Sequence, residues 1–302
     1  METYRSNGKL LLTGEYVVLD GAISLAVPTQ YGQSLTIKPI ETQRLYWKSF
    51  DNAKNVWFEG VFSCNDFEIL NQHPNDTIAQ RLKEILLAAK MLNPEFLNTP
   101  HGFEVETQLE FPKNWGLGTS STLINNIANW ANIDAFKLLE LTFGGSGYDI
   151  ACAQHDTAIT YQINNKVPRI NPVSFRPSFK HHLYFVYLNQ KQNSRDGIAH
   201  YKALTHDLTS VISEINSITK QMLICEDLET FKTLITTHES IISKTLQQET
   251  VASKFFNDFD GAIKSLGAWG GDFMLIASQD DPTAYFKNKG FFTIIPYSKM
   301  IL

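Results

Sequence analysis

Pro112-Lys113-Asn114-Trp115-Gly116-Leu117-Gly118-Thr119-Ser120-Ser121-Thr122 joins a glycine turn to hydroxyl residues at the start of an expected helix, Ser120 to Ala131. Gly116 and Gly118 can take backbone angles that a Cβ forbids, so main-chain N–H groups can approach an anion there. The helix that follows turns its first free N–H groups and the positive end of its dipole toward the same anion. Just upstream, Phe103, Val105, Thr107, Leu109 and Phe111 fall at every second position, which predicts a strand leading into the turn. Strand, glycine turn, helix is the order a phosphate cradle needs, and a plain helix N-cap after a strand has the same outline.

Further out, the N-terminal part reads mainly as strands. Lys9 to Leu12 and Tyr16 to Leu19 are short apolar runs around Thr13-Gly14-Glu15, and Ser34 to Lys38 alternates like a half-buried strand. Tyr46-Trp47 and Val56-Trp57-Phe58 extend this hairpin-rich sheet, with Asp51-Asn52-Ala53 as a turn. From Asp76-Thr77 to about Leu92, the residues Ile78, Leu82, Ile85, Leu86 and Ala89 recur at helical spacing. Asp134 to Leu141 is a further helix, ended by Gly144-Gly145-Ser146-Gly147, and Ala158 to Gln162 is a strand. Pro168, Pro172 and Pro177 break regular structure and suggest two domains, 1–172 and 173–302. In the second, a strand at Leu183 to Leu188 precedes helices at His206 to Glu226 and Asp227 to Gln248. Strands at Phe273 to Ala277 and Phe291 to Ile295 flank a helix near Thr283 to Lys287, which makes the class α+β.

Composition narrows the function classes. With 302 residues, 43% hydrophobic and 19% charged, the chain has the make-up of a soluble globular protein. A net charge of -5 without a long basic run lacks the electrostatic footprint of a nucleic-acid binder. Cys64, Cys152 and Cys225 show no CxxC or Cys/His spacing, so neither a zinc site nor a disulfide framework is indicated, and a reducing cytoplasm is the expected location. The N-terminus lacks the order of a signal peptide, and no apolar stretch reaches the roughly 20 residues that span a bilayer.

Four segments carry chemistry. Gly8-Lys9-Leu10-Leu11-Leu12-Thr13-Gly14-Glu15-Tyr16 sets a lysine and a glutamate about a strand's length apart, which also suits a solvent-facing edge strand. The second is the glycine turn at 112–122. In the third, Gly144 to Ala151, Asp149 can accept or orient a hydroxyl proton, or cap a helix starting at Ile150. The fourth, Gly267-Ala268-Trp269-Gly270-Gly271-Asp272-Phe273, is a tight turn into a strand. Together they supply what phosphoryl transfer demands: backbone donors for a triphosphate, a lysine, a hydroxyl for Mg²⁺ and an acid near the attacking oxygen. Neither GxxxxGK[ST] nor a GxGxxG after a strand is present, so an ATP site here belongs to another class.

GKLLLTGEYVVLDG (8–21), PKNWGLGTSST (112–122) and GAWGGDF (267–273), in this order, resemble the GHMP kinases, the superfamily of galactokinase, homoserine, mevalonate and phosphomevalonate kinases. Gly147-Tyr148-Asp149-Ile150-Ala151 resembles the bacterial subgroup named for its GYDIA sequence. The resemblance implies an N-terminal ATP-binding domain like domain 2 of ribosomal protein S5 and a ferredoxin-like C-terminal domain. It also implies that Pro112, Gly116, Leu117, Gly118, Thr119, Ser120 and Ser121 hold the triphosphate, with Ser120 on Mg²⁺. Lys9 and Asp149 match the catalytic pair, Glu15 a substrate-side glutamate, and Ser146, Gly147, Gly270 and Gly271 the acceptor's surroundings. Three departures stand out: Thr119, Ser121 and Thr122 replace the commonest serine-then-alanine pattern, Trp269 replaces a glycine, and Asp149 follows Ser121 at a short interval. That interval makes the acidic metal ligand hard to place, and Glu140 is the candidate.

GEYVVL, SGYDIA and KSLGAWGGD are similar to mevalonate and phosphomevalonate kinases in particular. A phosphorylated acceptor needs extra cations, for which Lys191 and Arg195 are placed by order, unless they lie on a solvated helix start capped by Ser194. The expectation is ATP- and Mg²⁺-dependent phosphorylation of mevalonate or its phosphate by a cytoplasmic monomer or homodimer without nucleic-acid or membrane partners. The alternatives are a binding or regulatory protein that kept the fold, or a kinase for homoserine or a sugar.

Overall fold

The alternation seen at Ser34 to Lys38 belongs to a much longer strand, β2 (Ser24–Ile40), which follows β1 (Glu2–Leu11). Between them the run Tyr16 to Leu19 is not a strand: Val17–Asp20 forms one turn of 3-10 helix. Gly14 at φ +84° and Gly21 at φ +92° bend the chain on either side, and Val17 and Val18 are both buried, so the run lacks the two-sided character of a half-buried strand. The computed structural model describes residues 1–71, 76–190, 194–204 and 207–302. The chain does not divide at a single point. One unit comprises Met1–Gly8, Tyr31–Lys113 and Leu117–Gln154, and the other Lys9–Gln30, Asn114–Gly116 and His155–Leu302.

In the first unit, β3 (Arg44–Phe50) and β4 (Val56–Ser63) form a hairpin. Its turn closes on Asp51, whose carboxylate accepts from the N–H groups of Ala53 and Asn55. Next comes α1 (Thr77–Leu92), capped by Asp76, which accepts from the N–H groups of Ile78 and Ala79. β5 (Gly102–Leu109) then runs parallel to β3 and antiparallel to the second half of β2. α2 (Thr119–Ala131), α3 (Ala135–Thr142) and α4 (Tyr148–Ala153) complete the unit. One core joins the sheet to the helices: Leu35, Ile37, Trp47 and Val105 meet Leu82, Ile85, Ile124, Ile127, Leu138 and Ile150. Each such side chain contributes about 1.5–3 kcal/mol on leaving water.

In the second unit, β6 (Ile159–Asn164) pairs with Ser24–Ala26 of β2 and with β7 (Val167–Pro172). The chain continues through β8 (Leu183–Tyr187), α5 (Ser194–Ala203), α6 (Thr209–Leu223), α7 (Leu228–Leu246) and α8 (Val251–Phe255). It ends with β9 (Ala262–Ser265), β10 (Phe273–Ala277), α9 (Thr283–Asn288), β11 (Ile294–Pro296) and α10 (Tyr297–Met300). The last four-stranded sheet is antiparallel in the order β11-β8-β10-β9. With helices after its first and third strands, this is the ferredoxin-like β-α-β-β-α-β arrangement. α7 begins at the cap Asp227, which accepts from Thr230 N–H. The helix expected from His206 starts at Thr209, and His206 itself lies outside the described residues.

Candidate active site

In the first unit, the site begins where α2 begins. Gly118 occupies the N-cap at φ +99°, and no side chain caps the helix. The hydroxyls of Ser121 and Thr122 turn back onto the Gly118 carbonyl at 3.0 and 2.9 Å, and Thr122 also donates to Gln33 Oε1 at 2.7 Å. Ser120 is thus left as the exposed hydroxyl of this turn, beside main-chain donors that no side chain satisfies. A pocket of about 360 Å³ opens next to it, walled by Trp47, Trp57, Phe58, Ile85 and Phe143 and reaching Thr119 and Ser120. Trp57 Nε1 is buried without a partner, and the Lys113 ammonium lies 4.5 Å from the Trp57 ring centroid. An aromatic slot contiguous with an uncapped helix start suits a planar base joined to a phosphate chain.

Asp149 stands in the same unit, on α4. The helix begins at Tyr148 behind Gly147 at φ +85°, so the acid occupies the first turn rather than the cap. It is half-buried, and its Oδ1 accepts from the neighbouring Ile150 N–H at 3.2 Å. A buried amide network aligns α4 with α2: Gln154 donates to Asn125, Asn125 to Ser6, Ser6 to Asn126, and Asn126 to the Gln33 carbonyl, all at 2.7–2.9 Å. Truncating one member strands the others, which costs about 1–3 kcal/mol per orphaned group.

In the second unit, Lys9 ends in a small cavity shared with Leu10, Leu11, Trp115, Gly116, Leu266, Gly267, Asp272 and Phe273. Its ammonium donates to the Gly116 carbonyl at 3.0 Å. Asn114–Gly116 is held against the sheet by the Tyr187 hydroxyl, which donates to the Asn114 carbonyl at 3.0 Å, and by Trp115 edge-on to Phe273. Gly116 is required twice: it sits at φ +69°, and a Cβ there would lie 2.4 Å from Asp272 Cγ. Gly116→Ala is therefore expected to cost at least about 1–2 kcal/mol from the backbone alone. Urea unfolding measures this, and an unchanged midpoint would contradict the packing against Asp272. Asp272, itself at φ +57°, was not singled out by sequence reasoning. Its signal was being the one acid in the third glycine segment.

No family model matches the chain, and no curated protein sequence matches it. Solved structures do. Mevalonate kinase of Methanococcus jannaschii shares 15% identity at a TM-score of 0.69, covering 98% of each chain. Phosphomevalonate kinase of Streptococcus pneumoniae, in complex with phosphomevalonate and AMPPNP, shares 17% at 0.69, covering 96% of each. Galactokinase of Lactococcus lactis, complexed with galactose, shares 13% at 0.69, covering 95% of this chain and 88% of that one. This chain has the GHMP kinase fold. The expected α+β class, with its S5-like and ferredoxin-like parts, is the observed one.

The third glycine segment lies in the second unit. Gly267, Trp269, Gly270 and Asp272 all have positive φ, and the Gln190 amide donates to the Gly270 carbonyl. The Trp269 indole is buried in a cluster with Tyr16, Tyr201, Ile215, Ile242 and Leu246, and its Nε1 has no partner. Gly271 lies in the same loop. Glu140 is exposed on α3 and Arg195 is exposed on α5, while Lys191 lies outside the described residues. Among the described residues, no group of three or more His, Cys, Asp or Glu side chains gathers as a metal site.

Glu15 is only 1% exposed, and its carboxylate accepts from the equally buried Lys264 ammonium. His238 Nε2 accepts from Gly14 N–H at 2.9 Å, which puts its ring proton on Nδ1, and lies 3.5 Å from Glu15 Oε2. Glu239 accepts from Ser265 N–H at 3.1 Å and from Ser265 Oγ at 2.6 Å. Burial pushes the Glu15 carboxyl up against the pull of Lys264, and pushes Glu239 up to about 7. Burial, then the Lys264 charge, holds His238 well below its ordinary value, so the imidazole is neutral. Sequence reasoning missed Lys264, His238 and Glu239.

Proposed function

We propose that this protein is an ATP-dependent kinase that transfers the γ-phosphoryl group to a hydroxyl of mevalonate or phosphomevalonate. The observation that carries the reading is the aromatic pocket contiguous with the uncapped start of α2. The base would occupy the pocket, and the main-chain donors from Gly116 to Ser121, with Pro112 at the turn's start, would hold the phosphates. Asp149 would orient or deprotonate the acceptor hydroxyl, and Lys9 would lower that oxygen's pKa and offset the charge on the moving phosphoryl group.

Mg²⁺ commonly takes one or two carboxylates, with phosphate oxygens and water completing its shell, so a site without an acidic cluster fits it. Ser120 and Glu140 are the proposed donors. The metal would neutralise charge on the β- and γ-phosphates. The mevalonate class is supported by GEYVVL, SGYDIA and KSLGAWGGD, and by the fold shared with a mevalonate and a phosphomevalonate kinase. Ser146, Gly147, Lys191, Arg195, Gly270 and Gly271 are the proposed acceptor-side residues of this reading, with Glu15 acting on that side indirectly, from the interior. A cytoplasmic location belongs to this reading too. No helix among the described residues is long and apolar enough to cross a membrane.

A coupled ADP-release assay with Mg-ATP and mevalonate, phosphomevalonate, homoserine or galactose tests the proposal. Turnover with one of the first two is expected. Silence with both rejects the substrate class, and turnover with homoserine or galactose reassigns the acceptor.

A further inference from the structure

We propose, resting on the kinase reading, that Lys264 is a positioning residue: it clamps the turn after β1 to the loop after β9 and so fixes the two walls of the Lys9 cavity. Both walls lead directly to it. Leu10 and Leu11 line the cavity on one side, and the chain reaches Glu15 within the next turn. Leu266 and Gly267 line the other side and follow Lys264-Ser265 directly. The Lys264 ammonium joins the two by donating to the Glu15 carboxylate and to the Ser265 carbonyl at 3.0 Å.

α7 grips the same two segments with adjacent side chains. His238 holds Gly14, and Glu239 holds Ser265 through both its N–H and its hydroxyl. Glu15, His238 and Glu239 are the charged or titratable groups facing Lys264 among the described residues. As filling for a protein interior this is an expensive choice, because apolar residues of similar volume commonly do as well or better. What the charged set supplies instead is direction: each contact ties one main-chain segment to one partner. Glu15 accordingly works through Lys264. Its carboxylate has no exposed surface with which to meet an acceptor.

The experiment uses the full chain with Mg-ATP and its best acceptor, comparing Lys264→Met, Glu15→Gln and the double variant. Each single change is expected to lower kcat by between about tenfold and a hundredfold, with the acceptor KM within about threefold. The double variant is expected to fall no further than the worse single one, because both remove the same clamp. Amide hydrogen exchange is expected to quicken at residues 12–17 and 264–272 in every variant. Losses that multiply in the double variant, or a raised acceptor KM confined to Glu15→Gln, would overturn the proposal. Should Lys264→Met not fold, the isosteric Glu15→Gln carries the test by kcat and exchange together, and unchanged exchange overturns it. A wild-type chain inactive with every acceptor rejects the kinase reading, and the exchange rates still judge the clamp.

Discussion

Asp149→Asn is expected to lower kcat by about a thousandfold while the dissociation constant for ATP moves by less than about threefold. The substitution keeps the shape of the side chain and an oxygen able to accept from Ile150 N–H, the contact seen at 3.2 Å. It removes the negative charge and the capacity to take a proton. The first turn of α4 stays in place because α4 is fixed to α2 by the buried amide network through Gln154 and Asn125, which Asp149 does not join. The donors at the start of α2 are likewise untouched, so nucleotide binding persists. Steady-state kinetics beside titration with a fluorescent ATP analogue separates the two quantities. Full turnover in the variant would remove Asp149 from the mechanism. A wild type that binds ATP yet turns over no acceptor would favour a binding or regulatory role on the same fold.

Glu239→Gln is expected to stabilise the chain at pH 8 by about 3 kcal/mol, with no difference near pH 4.5. The sign follows from the direction of the shift. Burial raises the folded-state value from 4.5 to about 7, so the native chain keeps a proton that the unfolded chain releases. That stabilisation is whole below pH 4.5 and is lost as pH rises toward 7. Glutamine cannot titrate, and its carbonyl can still accept from Ser265. Lys264 keeps Glu15 as its partner, so no buried charge is left alone. Urea unfolding of both chains between pH 4.5 and 8 gives the two curves. If they ran parallel across that range, the proton would not reside on Glu239.

The parts of the fold visible in the sequence are those built from contacts a few residues apart. Asp76 before the Ile78–Leu82–Ile85 stripe announced α1, and the cap bonds to Ile78 and Ala79 are the ones that pattern needs. Gly118 before the Thr119–Ser121 run announced the start of α2, because only a residue tolerant of φ near +99° can carry the chain into the helix there. Tyr16 to Leu19 misled because a short apolar run has no period of its own. The glycines on either side decided it, by curling the run into a turn. The aromatic pocket was also out of reach, since Trp47, Trp57 with Phe58, and Phe143 come from three separate stretches and each reads alone as core.

By itself, then, the order of residues determined the glycine turns, the caps, the strand and helix periods and the resemblance carried by three short motifs. These depend on local sterics and on hydrogen bonds that close within a turn or two. Only the tertiary structure decided which charges go without water. Glu15 and Lys264 look like solvated surface groups until burial forces each to find the other across most of the chain's length. Asp272 reads as a turn residue until its carboxylate fills the space beside Gly116 that a Cβ would need. Desolvation is the physical reason: its cost depends on what surrounds a group in space, and that is set by the packing of distant segments.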